Sequence, residues 1–302
     1  MGADRDTMNE SVLCFGDDDS LIGIYTPAAT RGRRPAIVLV NSGVVHRVGP
    51  NRLYVNLARQ LAAADYPVLR FDLSSIGDSS PRSDALGFEQ AAISETSAAM
   101  ATVGRESGAT RFILCGICSG ADISFLTARD QPTVVGAVLI NGRALHGVTD
   151  DAGDALEAAV DSALGATTSA HYLWKSALFN PASWRKLVSG QVKPLELLGV
   201  IGRPLMRRFI AHEQVPAAAR ELRDAFDAVL GRGTALLMVY SESDPAIDYM
   251  QMMFGKEMKK IAAHRNFTEV HLAAADHTFT PRQSRDALVA VLRRWADARF
   301  AG

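Results

Sequence analysis

The sequence predicts an α/β fold built on a mostly parallel, doubly wound sheet. Short apolar runs of strand length alternate with amphipathic helical stretches. The alternation is interrupted once, by a long helical segment, before it resumes. Such spacing places parallel strands side by side with helices on both faces.

Leu21–Thr26 reads as a strand. Ala36–Val40 (AIVLV) is apolar at every position, as a strand buried on both faces must be. A helix over about 51–64 places Leu53, Leu57 and Leu61 on one face. Residues 67–71 form the next strand, and 88 to about 105 an alanine-rich helix. A strand at 112–115, a helix at 119–129 and a buried strand at Val134–Ile140 continue the rhythm. From about Leu145 to Leu230 the periodicity is helical, with Pro181, Pro194, Pro204 and Pro216 as breakers and no strand signal. Residues 234–240 (TALLMVY) restore the pattern. A helix near 247–263, a short strand near 269–272 and a final helix from about 282 to 300 follow. The chain thus divides into a core, 1–144 and 231–302, and a helical insertion, 145–230, after the fifth of these strands.

Of the 302 residues, 48% are hydrophobic and 22% charged, which is enough to bury a full core. A net charge of −1 argues against the broad cationic face of a nucleic-acid binder. No apolar run reaches 18 residues, so no membrane span is expected. The first ten residues are polar and acidic, without the apolar stretch of a secretory signal. Three cysteines, Cys14, Cys115 and Cys118, are too few for a disulfide framework, and a reducing cytoplasmic compartment is the expectation.

Residues 112–120 read FILCGICSG. A strand ends and Gly116-Ile117-Cys118-Ser119-Gly120 turns directly into a helix, which is the G-x-S-x-G nucleophile elbow with cysteine at its apex. A tight, strained turn excludes side chains two residues either side of the nucleophile, hence the glycines. The helix that follows directs its N-terminal N–H groups and dipole at the reacting group, favouring a thiolate and an oxyanion. In this motif's chain order an acid and then a histidine should come after the nucleophile. Asp244 follows the TALLMVY strand, and His277 follows the last short strand.

On these motifs the chain resembles the α/β-hydrolase superfamily over nearly its whole length, and within it the capped, serine-aminopeptidase-like hydrolases. The stretches Asn41-Ser42-Gly43-Val44-Val45-His46-Arg47 and Phe71-Asp72-Leu73-Ser74-Ser75-Ile76-Gly77-Asp78-Ser79 are similar to the family's loops. Two positions depart from the pattern. Cysteine replaces serine, as in dienelactone-hydrolase-like members, and Ser42-Gly43 stands where His-Gly is usual. The resemblance implies an α/β-hydrolase fold with the insertion as a cap between the family's sixth and seventh strands. It also implies an oxyanion hole from the backbone N–H groups of Ser119 and Val44. Tyr172, Trp174, Phe179, Trp184 and Phe209 of the insertion become candidates for an apolar substrate pocket.

Blander readings stand beside these. Cys118 could be a buried structural thiol. Cys115-x-x-Cys118 could be a redox pair or half a zinc site, but no second ligand pair follows, so neither metal nor cofactor is expected. Ser119 is an alternative nucleophile, though off the apex. Asp248 and Asp72 compete with Asp244 as the acid. His264 and His271 read as surface or packing residues. His46 and Arg47, with Arg52, form either a solvated loop or a clamp for a carboxylate or phosphopantetheine arm.

The expected chemistry is acyl transfer. His277 deprotonates Cys118, Asp244 orients the imidazolium, and the thiolate attacks an acyl carbon. An acyl-cysteine is itself a thioester and keeps group-transfer potential. This suits thioesters, activated esters and lactones. The expected partner is therefore a small acyl substrate, either free or bound to CoA or a carrier protein, with no nucleic acid and no membrane. Transfer to an amine, alcohol or thiol (an acyltransferase or cyclase) and a non-catalytic binding protein are the alternatives. Nothing in the sequence sets an oligomeric state.

Overall fold

Eight strands form one sheet among the residues that the computed structural model describes, which are 10–30, 34–143, 215–242 and 244–301. They are β1 (Ser11–Phe15), β2 (Leu21–Thr26), β3 (Ala36–Val40), β4 (Val68–Phe71), β5 (Phe112–Ile117), β6 (Val134–Ile140), β7 (Ala235–Ser241) and β8 (Phe267–Leu272). Their order across the sheet is β1-β2-β4-β3-β5-β6-β7-β8. β2 runs antiparallel to both β1 and β4, and every other pairing is parallel. The expected mostly parallel sheet is therefore present.

The helices are α1 (Leu53–Ala63), α2 (Phe88–Ser107), α3 (Ser119–Asp130), α4 (Val215–Gly231), α5 (Pro245–Phe254), α6 (Met258–Ala262) and α7 (Arg282–Phe300). They cover both faces because the central strands β3, β5, β6 and β7 are apolar on both. Along β5, Phe112 and Leu114 join the cluster that holds α2 to α5, whereas Ile113, Cys115 and Ile117 join the cluster beneath α1 and α7. This period-two split is what the strand pleat dictates.

β3 is the topological hinge. The chain leaves it through α1 to pair β4 on one side, then returns through α2 to pair β5 on the other. Sheets of this kind bind ligands outside the carboxyl ends of their strands, where the winding reverses. Here that crevice lies between the ends of β3 and β5.

Three sequence expectations are corrected. β1 was not foreseen, because it is an exposed edge strand in which Phe15 alone is buried; main-chain pairing with β2 defines it. The helix expected over 247–263 breaks at Gly255 (φ 52°), giving α5, one 3₁₀ turn and α6. The sequence pattern puts 215–230 in the insertion, yet α4 packs as a core helix. Phe226 lies 4.6 Å from Phe125 of α3 and 5.1 Å from Phe254 of α5 between ring centroids, with Leu222 and Val229 buried beside it. α4 therefore packs with the core from Ala219 onward. Residues 144–214, including Tyr172, Trp174, Phe179, Trp184 and Phe209, lie outside the described residues.

Candidate active site

β5 carries the chain out of the sheet and releases it at Cys118. The Cys118 backbone has φ 54° and ψ −126°, a conformation that non-glycine residues rarely adopt. Such a residue costs of order 1–3 kcal/mol and persists only where its surroundings fix it. Those surroundings are visible. A Cβ on Gly116 would lie 2.6 Å from Ala121 N and closer still to the Gly120 carbonyl; one on Gly120 would lie 2.5 Å from the carbonyl oxygens of Val40 and Asn41. The Cys118 N–H donates to Ile140 O at 2.8 Å. Where β3 parts from β5, the buried Tyr54 hydroxyl bridges them, donating to Val40 O (2.7 Å) and accepting from Ile117 N–H (3.2 Å). No sequence signal marked Tyr54 for this role beyond its place in an apolar helix.

Asp244 and His277 converge on the half-buried thiol. Asp244 caps the N-terminus of α5, and its Oδ1 accepts from Ala246 N–H at 3.0 Å. Its Oδ2 is 2.7 Å from His277 Nδ1 and also accepts from the Ser241 hydroxyl at 3.3 Å. Asp244 is buried and the His277 ring is half-exposed. The hydrogen bond to Asp244, and then that to Cys118, push the His277 pKa up to about 10. The hydrogen bond from His277 is also the largest cause lowering the Cys118 pKa; burial opposes it, while the imidazolium charge and the Ser119 N–H assist. The two shifts favour a thiolate–imidazolium pair. Asp248 is exposed on α5 and Asp72 is engaged elsewhere, so neither competes as the acid.

The loop after β3 is fastened to the elbow. Ser42 O accepts from Val45 N–H at 2.9 Å, closing a turn around Gly43 (φ 51°) and Val44. The Gly43 N–H donates to Ser119 Oγ at 2.8 Å. The Ser119 hydroxyl therefore tethers the loop after β3 to the start of α3. It joins the two backbone segments named as oxyanion donors, Ser119 and Val44. Ser119→Ala is expected to lower kcat about tenfold by freeing that loop, a fraction of the loss of a whole donor. Alkylation of Cys118 should be unchanged, since the thiolate does not depend on the tether. Paired kinetics and alkylation rates check this.

Residues 37–291 match the model of a family described as the alpha/beta hydrolase family. The chain belongs to that family. Similar solved structures include a dienelactone hydrolase from Anabaena variabilis (TM-score 0.56, 12% identity, 96% of this chain and 98% of that one). An esterase from Pyrococcus furiosus has TM-score 0.56 and 12% identity, covering 97% and 90%. The alpha/beta hydrolase GrgF from Penicillium sp. sh18 has TM-score 0.53 and 14% identity, covering 97% and 99%. At these identities the likeness is one of fold. No curated protein matches the chain.

Within this alpha/beta hydrolase the other sequence candidates separate by their contacts. Arg47 does not present a free anion clamp. Its two terminal nitrogens bind Asp72 and Asp78, and its own N–H donates to Asp72 Oδ1 at 2.5 Å. Asp72 is fully buried and also accepts from Asp78 N–H (3.1 Å) and from the Asn41 amide (3.5 Å). The Arg47–Asp72 pair thus joins the loops after β3 and β4. His46 is exposed, and Trp174 and Trp184 fall outside the described residues. Cys115 is fully buried among the residues under α1 and α7, and burial alone pushes its thiol up to about 12. A thiol so hard to ionise is a poor redox partner. All three cysteines are free. Among the described residues no three His, Cys, Asp or Glu side chains form a metal-holding group, and no helix is long and apolar enough to cross a membrane. Asn141, which reaches both the His277 and the Ser241 backbones, went unnoticed in the sequence; its one signal was a polar residue directly after an apolar strand.

Proposed function

We propose that the chain cleaves a thioester or ester through an acyl-cysteine on Cys118, with His277 and Asp244 completing a Cys-His-Asp triad. The observation that carries this reading is the Asp244–His277 hydrogen bond of 2.7 Å beside a thiol held below its ordinary range by the same histidine. The thiolate adds to the acyl carbon, and the oxyanion accepts the Ser119 and Val44 N–H groups. Collapse expels the thiolate or alkoxide, which takes the His277 proton. His277, now neutral, removes a proton from water as it attacks the acyl-cysteine, and the second collapse returns the Cys118 thiolate and the free acid.

A thiolate nucleophile suits acyl groups with good leaving groups, such as CoA- or carrier-bound thioesters in a reducing cytoplasm, with the helical insertion expected over 145–230 as the cap of a serine-aminopeptidase-like hydrolase. Acyl transfer uses the same steps with an amine, alcohol or thiol in place of water, and product analysis separates the two. The joined Asp244 and His277 speak against a non-catalytic binding protein, in which such partners have no task.

Iodoacetamide alkylation across pH tests the triad. The rate should rise with a midpoint below the roughly 8.5 of a free thiol. His277→Ala should return it to that value. For kcat/KM a bell is expected. Its acid limb lies where the thiolate is lost as pH falls through the lowered Cys118 value, and its alkaline limb where the imidazolium is lost as pH rises through about 10. An ordinary thiol titration indifferent to His277→Ala overturns the proposal.

A further inference from the structure

We propose that Asn141 is the positioning residue that holds the three catalytic loops in register; this rests on the Cys118–His277–Asp244 reading. Asn141 is the first residue after β6, is 3% exposed, and has φ 49°. Its backbone N–H donates to Val239 O of β7 at 2.9 Å. The side chain then bridges two loops. Nδ2 donates to the His277 carbonyl at 2.9 Å, and Oδ1 accepts from Ser241 N–H at 2.8 Å. Ser241 in turn donates its hydroxyl to Asp244 Oδ2. One residue earlier, the Ile140 carbonyl receives the Cys118 N–H. The end of β6 therefore touches the nucleophile loop, the acid loop and the histidine loop within two residues.

Asparagine fits this place for two reasons. It offers a donor and an acceptor on one short planar group, so that both bonds form in the same plane. It also tolerates a positive φ better than most residues do. Aspartate keeps the acceptor and loses the donor when ionised. Leucine or alanine keeps neither and leaves the part-buried His277 carbonyl and the buried Ser241 N–H without this partner. The bond to the His277 carbonyl fixes where that residue leaves the backbone, and so where its ring lies between Asp244 and Cys118. Asn141 touches no reacting atom and acts through His277.

The test uses the full chain with Asn141→Asp and Asn141→Ala beside wild type and His277→Ala. The readouts are the pH profile of Cys118 alkylation and the kcat–KM split. Both Asn141 variants should move the alkylation midpoint upward by about one pH unit, toward the His277→Ala value. kcat should fall at least about tenfold while KM stays within about twofold, because misplacing a catalytic group slows chemistry without changing substrate contacts. A packing role alone would lower the melting temperature and leave the alkylation profile where it was. Folded variants whose alkylation profile and kcat coincide with wild type overturn the proposal. Should neither variant fold, exchange of the Asn141 side-chain amide protons in wild type decides. Slow exchange is required by the bond to His277, and exchange at the rate of a solvated amide overturns it. If the wild-type thiol itself titrates as an ordinary one, the triad reading fails. If that thiol is depressed and unmoved by the Asn141 variants, this inference alone fails.

Discussion

Cys118→Ala is expected to cut thioester cleavage by about 10⁴-fold or more while leaving the fold intact. Loss of a triad nucleophile elsewhere costs up to roughly 10⁶ in kcat, and the residue of rate comes from the oxyanion hole and binding. The fold should survive because alanine meets the same backbone conformation, φ 54°, without adding an atom, and the half-buried thiol leaves little unfilled space. Steady-state turnover of a thioester and thermal unfolding measure the two halves. Cys115→Ala is the control. Its thiol lies under α1, on the other face of the sheet from α3, and its removal should cost stability without entering the chemistry.

Gly116→Ala is expected to damage both stability and turnover. The added methyl would lie 2.6 Å from Ala121 N and nearer to the Gly120 carbonyl, so backbone rather than a flexible side chain must give way. Overpacking costs typically about 1–3 kcal/mol, and a backbone obstacle puts this substitution at or above the upper end. The movement displaces Cys118 relative to His277, and a shift of about 1 Å can cost on the order of 10²-fold in rate. Urea unfolding and kcat measure these. A variant with wild-type stability and rate would show that the Gly120–Ala121 backbone does not confine the elbow.

The fold was legible because its signals are local and redundant. Ala36–Val40 and Val134–Ile140 are apolar at every position, which places them inside a two-layered cover without knowledge of their neighbours. The elbow was legible because the chemistry constrains adjacent residues. Gly116, Cys118 and Gly120 are each explained by the turn they share. Asp244 and His277 were legible from their order and their position after strands, and the structure brings them to 2.7 Å.

What escaped depends on contacts between distant residues. Arg47 reads as a loop cation until Asp72 is seen beneath it, 25 residues on. α4 reads as part of the insertion until Phe226 is found between Phe125 and Phe254. Asn141 gains its meaning from His277, 136 residues later. β1 carries almost no buried surface and is defined by its hydrogen bonds to β2. Each is set by a partner that no local pattern encodes.

An acyl-enzyme on Cys118 is detected by intact-mass measurement of the chain quenched in acid during thioester turnover, with peptide mapping of the adduct. The expected result is a mass increase equal to the acyl group, located on Cys118, lost to neutral hydroxylamine and longer-lived in His277→Ala once formed. Turnover with no adduct in either protein, or an adduct on Ser119 instead, would contradict it.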